Sequence, residues 1–258
     1  MQELTIVKVG GKVVEEVESL DTLLRDFSTI KGPKILVHGG GRSATAIADR
    51  MGIETKMVEG RRVTDASMLE VVTMVYAGLV NKNIVAGLQS YQQNALGVTG
   101  ADMNIIRSRK RAKGDVDYGF VGDIEGVDAK ALSQLLLTGA VPVIAPLTHD
   151  GQGQMLNTNA DTIASAVASA LSKLYKVTLV FCFELPGVLS DINKPDSLIS
   201  LINPEKYSQL KKDGIVADGM IPKLDNSFAA LNKGVSKIRI TNIQGLSNKN
   251  YSGTVLSL

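Results

Sequence analysis

The chain alternates short apolar runs with longer segments in which apolar residues recur every three or four positions. Residues 4–9 form an apolar run that ends at Gly10 and Gly11, and a second run, "KILVHGGG", ends in three glycines. The segments that follow have the spacing of amphipathic helices, and several of them stop at a glycine. This alternation predicts an α/β fold with three layers, in which a mostly parallel sheet lies between helices.

The same pattern predicts the remaining elements. A long helix is expected for residues 67–92, with a break near Gly78, and a weak strand for residues 56–63. Residues 128–139 combine an aspartate cap, a leucine stripe and a final glycine, which indicates another helix. Further strands are expected in "VPVIAPL", "YKVTLVFCFELPGVL" and "SKIRITNI", with two helices ahead of the last one.

The segment 107–128 breaks this rhythm because it is polar, glycine-rich and basic at its start. Five basic residues lie between Arg107 and Lys113, which could suggest RNA binding. The aromatic residues that would stack on single-stranded bases are not interleaved with them. The pattern favours an exposed, solvated hairpin inserted into the fold.

Composition limits the classes of function. With 258 residues the chain can bury a large core, and a net charge of +2 does not indicate a nucleic-acid-binding protein. The single cysteine, Cys182, excludes an intrachain disulfide and lies in an apolar run, which favours a core residue in a cytoplasmic protein. No secretory leader is apparent, and no apolar run approaches the roughly 20 residues of a membrane span.

Lys8 stands at the end of the first predicted strand, two residues before a glycine pair. A buried ammonium group is costly unless an anion meets it. Glycines let backbone amides turn towards an anion, and ligands of open α/β sheets bind beyond the carboxyl ends of strands. One glycine pair is also typical of a tight turn. Two glycine clusters at the first two strand exits favour an anion site.

The common nucleotide-binding and hydrolase motifs are missing. There is no G-x-x-x-x-G-K-[ST], and no G-x-G-x-x-G follows the first strand. His38 precedes three glycines, as in an esterase oxyanion loop, but no G-x-S-x-G elbow accompanies it, so a structural histidine is favoured. His149 has no obvious partner, and two histidines with one cysteine argue against a zinc site.

Eight segments in order along the chain resemble the N-acetylglutamate kinases of the amino acid kinase family: "KVGG", "VHGGGR", "EGRRVTD", "AGLVNKNIV", "GFVGDIEGVD", "GQMLNTNADTIA", "ELPGVLSD" and "VADGMIPKL". The resemblance covers essentially the whole chain. It implies a two-lobed, three-layer open αβα sandwich, with the acylated glutamate bound by lobe 1–175 and ATP by lobe 176–258. It also implies phosphorylation of the side-chain carboxylate of N-acetyl-L-glutamate by ATP with Mg²⁺, the second step of arginine biosynthesis.

The resemblance also assigns roles to single residues. Lys8 and Lys223 would meet the transferring phosphoryl group, and Asp161 would hold both lysines in place. The residues implied for the acylated glutamate are Gly40, Gly41, Arg62 and Asn157. Those implied for ATP are Gly10, Gly11, Glu184, Leu185, Pro186, Gly187, Val188, Leu189, Ile215, Val216 and Ala217.

Two departures from the family pattern leave alternatives open. Phe183 and Glu184 stand where the family usually has Ser or Thr followed by Asp, which bears on the nucleotide contacts. Arg61 stands where leucine is typical. It could serve a second carboxylate, as in N-succinyl-L-glutamate, or it could point into solvent.

Other functions compete with this one. They are another kinase of the family, such as glutamate 5-kinase, and a non-catalytic nucleotide sensor. The segment "NTNAD" and Arg62 favour an acylated amino acid, and the joint presence of Lys8, Asp161 and Lys223 favours an enzyme. The resemblance further implies a homodimer formed through the N-terminal lobe, without nucleic-acid or membrane partners. The resemblance implies that arginine feedback goes with an N-terminal helix ahead of the first strand. Only about seven residues precede Lys8 here, too few for such a helix, so insensitivity to arginine is expected.

Overall fold

The structure is a computed structural model that describes residues 1–58, 60–191, 193–194, 196–216, 220–247 and 253–258. Its strands are β1 (Glu3–Val9), β2 (Lys34–His38), β3 (Met57–Val58), β4 (Arg61–Arg62), β5 (Ala95–Val98), β6 (Ile106–Lys110), β7 (Gly122–Val127), β8 (Val141–Ile144), β9 (Leu147–His149), β10 (Met155–Asn157), β11 (Lys176–Phe183), β12 (Leu201–Ile202), β13 (Lys237–Asn242) and β14 (Thr254–Leu256). Its α-helices are α1 (Gly11–Glu15), α2 (Val17–Ser28), α3 (Gly41–Arg50), α4 (Ala66–Val72), α5 (Asn81–Ser90), α6 (Ala129–Leu137), α7 (Ala160–Leu171), α8 (Pro204–Lys212), α9 (Met220–Asn232) and α10 (Gln244–Ser247).

An eight-stranded sheet forms the middle layer, in the order β12-β14-β13-β11-β1-β2-β8-β5. Its neighbouring strands are parallel except for the pair β13 and β14. Strand β1 lies between β11 and β2, in a register that places Lys8 beside Phe181 and Val37. The carboxyl ends of these three strands therefore meet at one edge, where ligands of open α/β sheets bind. The predicted fold class is confirmed.

Two apolar clusters lie on opposite faces of this sheet. Because side chains alternate along a strand, Ile6 belongs to one cluster and Val7 to the other. The cluster around Ile6 is covered by α6, α7, α8 and α9. The cluster around Val7 is covered by α1–α5 and α10. Cys182 lies in this second cluster with no exposed surface, as the apolar run around it predicts.

The observed elements differ from the predicted ones at several boundaries. A short helix, α1, begins directly at Gly11, so the first strand passes into a helix without a loop. The weak strand expected for residues 56–63 is a separate two-stranded ribbon of β3 and β4, with Gly60 at φ +73° between them. The expected strand from residue 175 onwards ends at Phe183, because the glutamate and proline that follow leave the sheet.

Residues 107–128 form the predicted hairpin, but its predicted isolation in solvent is wrong. Strands β6 and β7 pair antiparallel within a four-stranded sheet that includes β9 and β10. The returning arm packs on the body of the protein, since Phe120 N donates to Thr64 O at 2.6 Å and Asn157 N donates to Phe120 O at 2.9 Å. The pattern of polar and apolar residues along the chain indicates a hairpin, but it does not show which part of the protein the hairpin packs against.

The long helix predicted around Gly78 is continuous instead of broken. Residues Thr73–Val80 form a π-helical segment that joins α4 to α5. By length and composition alone, the combined helix Ala66–Ser90 could cross a membrane, which corrects the expectation that no such stretch exists. Its residues Val71, Val72 and Ile84 are fully buried in the second apolar cluster, as in a core helix.

Candidate active site

The glycine-rich exits of β1 and β2 face each other at the carboxyl edge of the sheet. A Cβ atom built on Gly11 would lie 3.7 Å from the amide nitrogens of both Gly40 and Gly41. A Cβ on Gly39 would lie 3.2 Å from Gly11 N, closer than side chains normally approach. Backbone amides of two loops are therefore brought together without side chains between them. Such an arrangement can bind an anion at the start of helices α1 and α3.

Lys8 lies at the base of these loops and forms an ion pair with Asp161. Lys8 Nζ is 2.8 Å from Asp161 Oδ1, and the two side chains are 8% and 14% exposed. Asp161 belongs to the first turn of α7, but the helix is capped by Asn159, whose side chain accepts from Thr162 N. Asp161 is therefore free to face β1. The pair brings a cation and its carboxylate together beside the glycine amides.

Lys223, from the first turns of α9, reaches the same place. Its Nζ lies 3.9 Å from the centroid of the Phe183 ring, and Lys8 Nζ lies 4.9 Å from the same centroid. Burial lowers the pKa of Lys223, while the nearby Asp161 raises it and Lys8 lowers it further. Lys8, Asp161 and Lys223 thus act on one another electrostatically. The three residues that the resemblance assigns to catalysis are adjacent.

Arg62 is buried beside the second glycine loop. Its Nη2 donates to Gly41 O at 2.7 Å and to Thr45 Oγ1 at 2.8 Å, and its Nη1 donates to Thr55 Oγ1 at 3.3 Å. These bonds fix the guanidinium plane against the first turn of α3. Arg62 is 8% exposed and lines the cavity next to Gly40 and Gly41. A fixed guanidinium in this position can bind a carboxylate.

Asn157 and the hairpin close the other side. Asn157 Nδ2 donates to Thr64 Oγ1 at 3.0 Å, and a bridge pairs Val121 of the hairpin with Asn157. A cavity of about 880 Å³ lies between the glycine loops, the hairpin and α7. Seven of the residues that line it are Lys8, Gly11, Gly40, Gly41, Arg62, Asn157 and Asp161, all predicted from the sequence.

A second cavity, of about 570 Å³, opens next to the first one and shares Gly11, Gly41 and Arg62 with it. The predicted nucleotide residues that line it are Gly10, Gly11, Glu184, Leu185 and Gly187, together with Lys223. Lys12 Nζ lies 3.4 Å from Glu184 Oε2 at its rim. The two cavities therefore meet at Gly11, Gly41 and Arg62, with Lys8 lining the larger cavity and Lys223 the smaller one.

Other residues predicted for the nucleotide lie elsewhere. Val188 and Val216 are 3% exposed and belong to the first apolar cluster. Leu189 is bridged to Leu198, and Ile215 is 37% exposed. Pro186 is half-buried and is absent from the described lining of both cavities. Ala217 lies outside the described residues.

The chain matches a model of the amino acid kinase family over residues 3–242. The chain belongs to the amino acid kinase family. It is 61% identical to the acetylglutamate kinase of Phocaeicola vulgatus, over 99% of this chain and 98% of that one. It is 63% identical to the acetylglutamate kinase of Bacteroides thetaiotaomicron over 93% of each chain, and 42% identical to that of Methanopyrus kandleri over 94% and 96%.

Solved structures share the fold of this amino acid kinase at lower identity. The N-acetylglutamate synthase of Neisseria gonorrhoeae, complexed with coenzyme A and N-acetyl-glutamate, has a TM-score of 0.81 at 23% identity, over 99% of this chain and 59% of that one. The carbamate kinase of Giardia lamblia bound to AMP-PNP has a TM-score of 0.70 at 13% identity, over 99% and 98%. Both similarities support the same αβα architecture.

Sequence reasoning missed Tyr76, which the π-helical segment presents to the site. A Cβ on Gly40 would lie 2.9 Å from Tyr76 Cδ1, so only glycine fits under this ring. Burial raises the pKa of Tyr76, and Arg62 acts in the opposite direction through its charge and a hydrogen bond. Tyr76 thus packs on one substrate loop and contacts Arg62. No sequence signal marks it, because a π-helical register cannot be inferred from helical spacing.

His38 is a structural residue of this amino acid kinase, as predicted. It is fully buried, with Nδ1 2.7 Å from Gly39 O and Nε2 3.1 Å from Asn81 Nδ2. Asn81 Nδ2 also donates to Val143 O at 2.9 Å. The neutral tautomer with a proton on Nδ1 satisfies these bonds, since it donates to Gly39 and accepts from Asn81. His38 therefore anchors the start of the second glycine loop.

Below pH 6.5 the free energy of unfolding should fall because of His38. Burial lowers its pKa from 6.5 to about 4, so between these values the unfolded chain binds a proton that the folded one does not. The part of the free energy of unfolding that depends on neutral His38 is fully present above pH 6.5, and it is lost as the pH falls towards 4. The expected loss is about 1.6 kcal/mol between pH 6.5 and 5, because the slope reaches about 1.4 kcal/mol per unit only well below pH 6.5.

Urea unfolding of the wild type, His38→Gln and His149→Gln at pH 7, 6 and 5 measures this effect. The His38→Gln variant should be less stable at pH 7 and should lose most of the pH slope. The His149→Gln variant serves as the control and should keep the slope. Equal slopes in all three proteins would show that His38 does not carry this dependence.

Proposed function

We propose that this amino acid kinase transfers the γ-phosphoryl group of ATP to the side-chain carboxylate of N-acetyl-L-glutamate. The product is N-acetyl-L-glutamyl 5-phosphate, and the reaction is the second step of arginine biosynthesis. The observation that carries the proposal is the full-length identity of 61% with a relative named acetylglutamate kinase. The convergence of Lys8, Asp161 and Lys223 beside two glycine loops supports it.

The chemistry fits a site without a general base. The nucleophile is a carboxylate with a usual pKa near 4, which is already ionised at neutral pH. Phosphoryl transfer then needs positioning and charge neutralisation. Lys8 and Lys223 provide the cations, and Asp161 orients Lys8 through the 2.8 Å ion pair. The amides of Gly11, Gly40 and Gly41 provide fixed dipoles around the oxygens of the transferring group.

The two adjoining cavities suggest how the substrates divide between the lobes. The larger cavity, with Gly40, Gly41, Arg62 and Asn157, would hold the acylated glutamate in lobe 1–175. The smaller cavity, with Gly10, Gly11 and Glu184, would hold the nucleotide against lobe 176–258. In this arrangement the γ-phosphate and the acceptor carboxylate meet over Lys8.

Magnesium would enter with the nucleotide. Among the described residues, no group of three or more His, Cys, Asp or Glu side chains could hold a metal ion. This fits Mg²⁺, which keeps several waters and binds substrate phosphates more than protein cages, and which would neutralise phosphate charge. We further propose a cytoplasmic homodimer formed through the N-terminal lobe, where Met74 and Leu79 of the π-helical segment are about half exposed.

A hydroxamate-coupled assay tests the proposed activity. Purified protein is incubated with MgATP and, separately, with N-acetyl-L-glutamate, L-glutamate and L-aspartate, and acyl phosphate is trapped by hydroxylamine. N-acetyl-L-glutamate should be turned over, while free glutamate and aspartate should give little product. Efficient phosphorylation of free L-glutamate would favour a glutamate 5-kinase and contradict the proposal. ATP binding without turnover of any acid would favour a nucleotide sensor.

N-succinyl-L-glutamate is a second candidate substrate, because Arg61 lines the same cavity as Arg62. Neighbours on a strand point to opposite faces. Accordingly Arg62 is buried and Arg61 is exposed. The turn at Gly60, with φ +73°, lies directly before them and brings both arginines to the cavity wall. Whether Arg61 selects the acyl group is therefore a question for kinetics.

We expect N-acetyl-L-glutamate to be preferred, and Arg61→Leu to leave its kcat/KM within about twofold, since an exposed charge contributes little to a neutral acyl group. The measurement is kcat/KM for the acetyl and succinyl substrates on the wild type and on Arg61→Leu. A succinyl preference of about tenfold or more that disappears in Arg61→Leu would establish the second candidate. A succinyl preference that survives the substitution would exclude Arg61 as its cause.

A further inference from the structure

Phe183 is the last residue of β11 and lies where the two lysines of the site converge. The ring centroid is 3.9 Å from Lys223 Nζ and 4.9 Å from Lys8 Nζ. Phe181, two residues earlier on the same side of the strand, stacks on it with centroids 6.1 Å apart and planes 2° apart. Three elements, β1, β11 and α9, thus bring two ammonium groups to one aromatic ring of fixed orientation.

The site has an electrostatic problem that this ring addresses. Two ammonium groups lie within reach of the same ring, and the Asp161 carboxylate is already engaged by Lys8 at 2.8 Å. The Lys8 side chain is 8% exposed, and burial lowers the pKa of Lys223. Like charges in a partly desolvated site repel each other strongly. An aromatic ring attracts cations through its quadrupole without adding an anion that would compete with phosphate.

We infer that Phe183 is a positioning residue. It holds the ammonium groups of Lys8 and Lys223, before the nucleotide binds, at the place where the γ-phosphoryl group would be transferred. The inference rests on the catalytic roles proposed above for the two lysines. When the triphosphate arrives, its oxygens offer both cations a stronger partner than the ring, so the lysines need to move little. Pre-positioned charge of this kind lowers the reorganisation that the transition state requires.

Core packing alone does not account for the position of Phe183. Its ring packs against the first apolar cluster, to which the 2% exposed Phe181 belongs, but Phe183 is itself partly exposed and lines the smaller cavity with Lys223. A leucine at position 183 would retain apolar bulk but would lose the attraction for cations. A tyrosine would retain the ring. These two substitutions therefore separate packing from the interaction with the lysines.

The first experiment observes the lysines without any substrate. In protein labelled with ¹³C-lysine, the Cε protons of Lys223 should resonate upfield because of the ring current, and the signal is assigned by its loss in Lys223→Arg. Phe183→Leu should abolish the upfield shift of the Lys223 Cε protons and lower the pKa of Lys223. Phe183→Tyr should keep the chemical shift and the pKa near the wild-type values. Phe181→Leu is the matched control and should lower the melting temperature without releasing Lys223.

The second experiment measures kinetics with MgATP and N-acetyl-L-glutamate. Phe183→Leu should lower kcat by about tenfold, with KM for the acyl-glutamate nearly unchanged, and should shift the alkaline limb of the kcat profile to lower pH. Phe183→Tyr should recover kcat to within about threefold. Phe183→Met replaces the leucine variant if that protein does not fold.

Each outcome supports the inference or overturns it. A leucine variant with wild-type kcat and an unchanged Lys223 signal would overturn it, as would a tyrosine variant as impaired as the leucine one. If the wild type phosphorylates no acyl-glutamate, the proposed function fails. In that case the lysine resonances still decide whether Phe183 holds the two cations.

Discussion

Replacing Lys8 with alanine should lower kcat by about 10² or more while leaving the fold intact. Lys8 lines the larger cavity beside Gly11 and Gly41, which both cavities share, and we propose that charge builds there on the transferring phosphoryl group. Loss of one electrostatic donor from such a site typically costs about 10² to 10³ in rate. Lys223→Ala should have a similar effect, because its ammonium group approaches the same Phe183 ring as that of Lys8. Steady-state kinetics at saturating substrate, with circular dichroism for the fold, measure both variants.

The ion pair between Lys8 and Asp161 requires a matched control. Lys176 of β11 and Glu3 of β1 form a largely exposed ion pair at the amino end of β1, 3.3 Å apart. Lys176→Ala should therefore change neither kcat nor stability by much, since exposed pairs contribute about 0–1 kcal/mol. Lys8→Ala also leaves Asp161 partly buried without its cation, which should lower stability. A Lys8→Ala protein with wild-type kcat would remove Lys8 from catalysis.

Asp161 is tested by a double-mutant cycle. If Asp161 acts by orienting Lys8, then Asp161→Asn should have little further effect on kcat once Lys8 is alanine. Additive losses in rate would mean that Asp161 acts independently of Lys8, for example through Lys223, whose pKa it raises.

The sequence predicted the part of the site that depends on strand order. Lys8 with its glycine pair and the glycines after His38 each end a predicted strand, and adjacent parallel strands bring their carboxyl ends together. The facing amides of Gly11, Gly40 and Gly41 follow from this rule and from the absence of side chains. The roles of Arg62 and Asn157 were predicted only from the family resemblance, because the short strands β4 and β10 carry no comparable sequence pattern.

The rest depends on tertiary contacts that the sequence pattern does not contain. Tyr76 packs against Gly40 from residues 73–80, whose π-helical geometry the sequence pattern did not predict, and the predicted break at Gly78 does not exist. The hairpin at 107–128 has the composition of a solvated ribbon, yet its returning arm bonds to Thr64 and Asn157. Phe183 was a departure from the family pattern, and the role that we infer for it rests on the positions of Lys8 and Lys223.

Arg62→Ala should raise KM for the acyl-glutamate by about 10-fold to 100-fold, the range expected for one lost charged hydrogen bond, and should change KM for ATP little. The α-carboxylate that Arg62 would bind keeps its charge throughout the reaction. Its binding energy is therefore uniform between ground and transition states, and its loss appears in KM more than in kcat. Initial rates with each substrate varied in turn measure the two constants.

Two control variants must accompany Arg62→Ala, because Arg62 also forms hydrogen bonds to the first turn of α3. Its Nη2 donates to Gly41 O and Thr45 Oγ1, so alanine could displace Gly41 as well as remove the charge. Thr45→Val removes one of these acceptors and leaves the guanidinium charge in place. It therefore measures the effect of weakening the contact between Arg62 and α3 alone. Arg50→Ala removes an exposed arginine from the last turn of the same helix and should leave both KM values unchanged.

If Thr45→Val raised KM for the acyl-glutamate as much as Arg62→Ala does, Arg62 would act by shaping the glycine loop. If instead Arg62→Ala altered only KM for ATP, the larger cavity would not be the acyl-glutamate site.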